Sequence, residues 1–100
     1  MLPDNRIPIH PGVILEEEFL KPLGLSQVGF AAHLGVPVQR VNGLIRGKRG
    51  VTAETAWLLG QALGTTPQFW LNLQACRDLA LARPKKALRK LRMKPLAKAG

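Results

Sequence analysis

The chain has 100 residues, 46% of them hydrophobic and 5% aromatic, with a net charge of +9 and a single cysteine. That length suits one small domain whose core rests on Leu, Val, Ile and Ala, with no second domain for elaborate chemistry. Cys76 has no partner for an internal disulfide, Pro3, Asp4, Asn5 and Pro8 interrupt any secretory signal, and no stretch reads as a membrane span, so a cytoplasmic location is expected.

The charge is unevenly placed. Residues 1–75 carry six Lys/Arg against five Asp/Glu, whereas residues 76–100 carry nine against one. A nearly neutral body therefore leads into a basic segment suited to an anionic partner. Met1 to Ile9 contains two prolines and no periodicity, which predicts an extended arm. Pro11 fits the first turn of a helix, where its missing N–H leaves no bond unmade. Leu15, Phe19 and Leu23 recur at intervals of four and predict one apolar stripe, with Pro22 and Gly24 ending the helix.

Ser26 then offers an N-cap for a second short helix, which runs to Leu34 with Phe30, Ala31 and Leu34 inward. Gly35 stops it. A tight turn at Val36-Pro37 leads into a third helix reaching about Arg46, with Val41, Leu44 and Ile45 on its apolar side. Gly47 closes this helix in the left-handed conformation, and Lys48-Arg49-Gly50 forms a basic loop. Thr52 starts a fourth helix whose apolar set is Ala56, Trp57, Leu59 and Leu63, and which ends at Gly64. Thr66-Pro67 starts a fifth, carrying Phe69, Trp70, Leu73 and Leu79. No strand pattern and no repeat is present. The predicted organisation is all-α: an arm over residues 1–9, a five-helix domain over 10–83 and a basic tail over 84–100.

The second and third helices have the spacing of a helix-turn-helix. With Gln27 as the first position, Ala31 is fifth, Gly35 ninth, Val41 fifteenth and Leu44 eighteenth. A small residue at 31 permits close helix crossing, and glycine at 35 permits the positive φ of the turn. Val41 and Leu44 anchor the third helix so that its outer face is free to enter a major groove of double-stranded DNA. That face carries Val38, Gln39, Arg40, Asn42 and Gly43 as candidates for base contact. Gln and Asn suit adenine, Arg suits guanine, Val38 suits a thymine methyl, and Gly43 permits close backbone approach. Ser26, Gln27, Arg46, Lys48 and Arg49 are candidates for phosphate contact.

The segments IHPGVILEEEFLKPLGLSQ and GVPVQRVNGLIRGKRGVTAETAWLLGQALGTTPQFWLNLQ resemble the HigA antitoxin family, also called plasmid-maintenance antidote or VapI-type proteins, within the phage-repressor-like (XRE-type) helix-turn-helix class. The resemblance spans about Ile9 to Leu79. His10-Pro11-Gly12 and Phe69-Trp70-Leu71-Asn72-Leu73-Gln74 are its most specific elements. It implies a homodimer that represses its own operon at an operator with an inverted repeat and neutralises a HigB-like ribonuclease toxin. It also implies dimerisation through the last helix, placing Phe69, Trp70 and Leu73 at the interface. Periodicity alone leaves open whether that helix buries Phe69 and offers Trp70 to the partner.

Other chemistries find little support. His10 and His33 stand apart without cysteine or paired carboxylates, so neither a metal site nor a cofactor is expected. His10 fits a helix N-terminus instead. Glu16, Glu17 and Glu18 splay around their helix and make no acid/base pair, and no phosphate-binding glycine motif or nucleophile triad is present, so the chain does not read as an enzyme. Three alternatives stay beside the antitoxin reading: a solitary helix-turn-helix regulator, a nonspecific DNA binder driven by the tail from Arg83 to Lys98, and a protein-interaction module that uses the helical bundle without DNA.

Overall fold

The computed structural model describes residues 7–84. Most of the predicted arm and all but the first residue of the predicted tail lie outside them. Among the described residues there are five helices and no strand.

Helix α1 is continuous over residues 11–23 but changes character along its length: an α-helical turn at Pro11–Ile14, a π-helical stretch at Leu15–Leu20 and a final turn at Lys21–Leu23. Pro22 did not stop it. A proline at that position has no N–H for the Glu18 carbonyl, and its ring crowds that carbonyl; the widened turns just upstream accommodate both effects. The widening also changes the buried register. Leu15 and Leu20, five apart, are fully buried, whereas the spacing of four had selected Leu15, Phe19 and Leu23. Phe19 is half-buried and Leu23 is exposed. Gly24 ends the helix in the left-handed region at φ 68°.

Helix α2, Gln27–Leu34, is capped by Ser26, whose Oγ accepts the Gly29 N–H at 2.9 Å. Gly35, at φ 73°, turns the chain after it, and the Val36 N–H returns to the Ala31 carbonyl at 3.1 Å. Helix α3, Val38–Ile45, lies across α2 and buries Val41 and Leu44. Helix α4, Ala53–Leu63, begins at Thr52, whose hydroxyl accepts the Thr55 N–H, and ends at Gly64. Helix α5, Pro67–Leu81, begins at Thr66, whose hydroxyl accepts the Phe69 N–H. Every predicted helix is present: Ser26, Thr52 and Thr66 cap the starts of α2, α4 and α5, and Gly24, Gly35 and Gly64 lie at the ends of α1, α2 and α4, as expected.

One core joins the five. Leu15 and Leu20 of α1, Phe30 and Ala31 of α2, Val41 and Leu44 of α3, Val51 of the loop, Ala56 and Leu59 of α4 and Trp70 of α5 form a single buried cluster. Burying each of the larger side chains is worth roughly 1.5–3 kcal/mol. Trp57, expected inward, is 59% exposed. Ala56 and Leu59 face the core, and one residue further along a helix the side chain has turned by about 100°. The helices therefore hold α2 and α3 as a pair, with Gln39 exposed on the outer face of α3.

Candidate nucleic-acid interface

The outer face of α3 is fixed from behind by the start of α1. His10 extends before Pro11 and its Nδ1 accepts the Gly12 N–H at 2.9 Å, so the ring caps the helix. Gly12 sits directly against the last turn of α3. A Cβ there would lie 2.6 Å from the Leu44 carbonyl carbon and 2.8 Å from the Ile45 Cα. The three consecutive residues His10-Pro11-Gly12 thus perform three tasks: cap, helix start and close backbone approach. Arg77 of α5 donates to the Pro8 carbonyl at 2.8 Å, which holds the residues preceding the cap.

Burial pushes the His10 imidazole below its ordinary value of 6.5, and the nearby Arg77 charge acts in the same direction; the Arg49 backbone and Asp78 oppose them. The unfolded chain takes up a proton that the folded chain resists, and protonation would also remove the Nδ1 acceptor for Gly12. Stability present at pH 7 is therefore expected to fall as the pH drops below 6.5 toward the folded value. Thermal unfolding at pH 7 and pH 5 checks this against His10→Asn, since asparagine caps without titrating. The variant should lose less of its stability on acidification, and an equal loss would place the responsible proton elsewhere.

The loop from Arg46 to Val51 is held on both sides. The Arg46 N–H bonds to the Asn42 carbonyl, and the Lys48 and Arg49 N–H groups both bond to the Gly43 carbonyl, at 2.8 and 3.1 Å. On the other side the Val51 N–H donates to Gln74 Oε1 at 2.7 Å, and Gln74 Nε2 donates to Asp78 at 2.8 Å. Gln74 of α5 thus anchors the loop that follows α3. Sequence reasoning had given it no such role, because nothing in a periodicity links positions 23 residues apart.

The predicted base-contacting residues do not share one fate. Gln39 is exposed on the outer face. Asn42 Nδ2 donates to Gln27 Oε1 at 3.1 Å, so the two amides form a fixed pair across the α2–α3 junction. Val38 is half-buried and packs partly against the core. Arg40 turns toward α4, where its guanidinium reaches Glu54 at 2.8 Å and Thr55 at 3.2 Å. Its position 100° around the helix from Val41 directs it there, so the guanidinium offered for base contact is engaged by α4 in the single chain. The Arg49 side chain lies over Gly43. Between α3 and α4 runs a groove of about 520 Å³ with Arg40, Arg49, Thr52 and Glu54 on its rim.

Of the predicted phosphate-contacting residues, Ser26, Arg46, Lys48 and Arg49 are exposed and Gln27 is half-buried. They flank the outer face of α3 from the start of α2 and from the loop. The predicted interface residues separate more sharply. Trp70 has no exposed surface, and its Nε1 donates to Thr65 Oγ1 at 2.7 Å. It packs against Phe19 and Phe69 at centroid distances of 5.3 and 5.0 Å. Trp70 is thus a core residue of the single chain. Phe69 is 38% exposed and Leu73 is half-buried. Among the described residues no helix is long and apolar enough to cross a membrane, and no cluster of His, Cys, Asp or Glu could hold a metal ion.

A helix-turn-helix family model matches residues 17–70. Over 79 residues the chain is 48% identical to virulence-associated protein I of Dichelobacter nodosus, covering 78% of this chain and 73% of that protein. It is 45% identical over 76 residues to antitoxin HigA-1 of Vibrio cholerae, covering 75% and 70%. Its fold matches that of a Pseudomonas aeruginosa protein crystallised in complex with its operator DNA (18 bp), with a TM-score of 0.81 at 40% identity over 89% of this chain and 97% of that one.

Proposed function

The chain belongs to the helix-turn-helix family of virulence-associated protein I and antitoxin HigA, and on that premise we propose that it is an operator-binding repressor and the antitoxin of a HigB-like ribonuclease toxin. The observation that carries the DNA half is the outer face of α3. It is supported from behind by Gly12 and from the side by Gln74, and it presents exposed Gln39 beside the Gln27–Asn42 pair and exposed basic residues. Rigid placement of a few amide and cationic groups is what base-edge recognition requires.

In this reading the protein acts in the cytoplasm as a homodimer and catalyses no reaction. Each subunit lays α3 into the major groove of one half-site, with the two half-sites about 34 Å apart, and the bound dimer excludes polymerase from the promoter. Ser26 and Gln27 on one flank and Arg46 and Lys48 on the other set the register through phosphates. Phe69, exposed, and Leu73, half-buried, lie on the α5 signature and supply the contact between subunits. Toxin neutralisation uses surfaces away from α3, so that operator and toxin are held at once.

Selection from a random duplex library by the purified protein at about 150 mM salt tests the reading, because nonspecific phosphate binding is weakened there. An enriched inverted repeat is expected, and binding without enrichment would remove the sequence-specific repressor. Gln39→Ala should then relax preference at one position and cost about 1–3 kcal/mol of discrimination. Arg40→Ala should leave preference intact and cost less than about 1 kcal/mol of stability, since its partner Glu54 is well exposed. Relaxed specificity in the Arg40 variant instead would return that residue to the base-reading set.

A further inference from the structure

Gly43 leaves a gap on the outer face of α3, and the structure fills that gap from the following loop. A Cβ at Gly43 would stand 3.1 Å from Arg49 Cδ and 3.2 Å from its Cγ and Nε. The stem of Arg49 therefore lies across the helix where the side chain of residue 43 would begin. The loop is built to keep it there. Two successive N–H groups, those of Lys48 and Arg49, bond to the Gly43 carbonyl itself. The loop's other side is tied to Gln74, and Gly47 sits 3.7 Å from the His10 ring by the same measure.

The chemistry of the group so placed is also distinctive. Among the described residues the ion pairs are Lys21–Glu17 and Arg40–Glu54. Among those residues the Arg49 guanidinium, unlike that of Arg40, is within ion-pair distance of no carboxylate. Its five N–H donors form a rigid fork that matches guanine O6 and N7 and that a lysine cannot reproduce.

We propose that Arg49, seated on Gly43, is a specificity-determining residue that reads a guanine in each half-site from the place residue 43 leaves vacant. The inference rests on the operator-binding reading above. The reading surface is then composite: Gln39 and the Gln27–Asn42 pair come from the two helices, and its cationic fork comes from the loop. Glycine at 43 is required for the room it leaves, since α3 itself would be more regular with alanine there.

The test uses the full chain and the duplex that the wild-type protein selects, together with duplexes in which each half-site base pair is replaced in turn. Arg49→Lys should retain the salt dependence of binding while losing about ten-fold discrimination or more at a single G·C pair. Gly43→Leu occupies the seat and should lose discrimination at the same pair while its Tm stays within a few degrees of wild type, because only the flexible Arg49 arm must move. The double variant should lose no more than either single one. A preference profile for Arg49→Lys that superimposes on wild type would overturn the proposal. So would an Arg49→Ala loss that is uniform over all sequences with a reduced salt slope, the signature of a phosphate contact. A wild-type protein without any base preference would overturn the operator-binding reading and this inference together, so the wild-type measurement alone tells the two failures apart.

Discussion

Gly12→Ala is expected to be the most damaging single-methyl substitution in the protein, lowering stability by about 3 kcal/mol or more. Overpacking of a core usually costs about 1–3 kcal/mol because neighbouring side chains shift to other rotamers. Here the added Cβ meets the Leu44 carbonyl group and the Ile45 Cα, all main-chain atoms of α3. Nothing flexible can give way, so the first turn of α1 must separate from the last turn of α3. In a domain of this size each kcal/mol is worth about 4–8 °C in Tm, which predicts a fall of more than 10 °C by circular dichroism. Since total stabilities are about 5–15 kcal/mol, a folded fraction should survive at low temperature. That fraction should bind DNA weakly, because the support behind the reading face has moved. Gly43→Ala is the matched control: its Cβ meets only the Arg49 side chain. Near-equal Tm values for the two variants would mean that α1 does not press on α3 as closely as described.

The contrast between these two glycines shows what the sequence made legible. Capping residues and turn glycines act locally, and they located the helices from Ser26, Gly35, Thr52, Gly64 and Thr66 onward. The helix-turn-helix spacing depends on contacts between adjacent helices, and it too was readable. Other features depend on residues far apart in the chain. Gly12 is a requirement of Leu44, Gln74 serves the loop at Val51, and Arg40 is paired with Glu54 14 residues away. No periodicity encodes those pairs. The α1 register failed for a different reason: Pro22 sits inside a helix that widens around it, and a period of four does not describe a π-helical stretch. On the predicted outer face of α3, Gln39 is exposed, whereas Val38, Arg40, Asn42 and Gly43 are half-buried. The pairing of Arg40 with Glu54 and the seating of Arg49 over Gly43 each join residues of different elements, which the period of α3 does not encode.

The Phe69-Trp70 signature divides along the same line, and Trp70→Ala should show it. Trp70 is fully buried in the single chain, bonded to Thr65 and packed between Phe19 and Phe69. Truncation removes the largest buried side chain and leaves a cavity, for which about 3–5 kcal/mol is the usual range. It therefore unfolds the subunit itself, and a fall in Tm of more than 10 °C is expected at every protein concentration. An interface tryptophan would behave differently: sedimentation would report dissociation, and raising the concentration would recover most of the lost Tm. Phe69→Ala should follow that second pattern, since the residue is 38% exposed. Neighbouring aromatic residues on one helix then serve different levels of organisation. Trp70 makes the fold that holds α3 in place, and Phe69 lies where a second subunit can bring the other α3 to its half-site. A Trp70→Ala protein that keeps its Tm but dissociates would reverse these assignments and move the subunit contact to the inner face of α5.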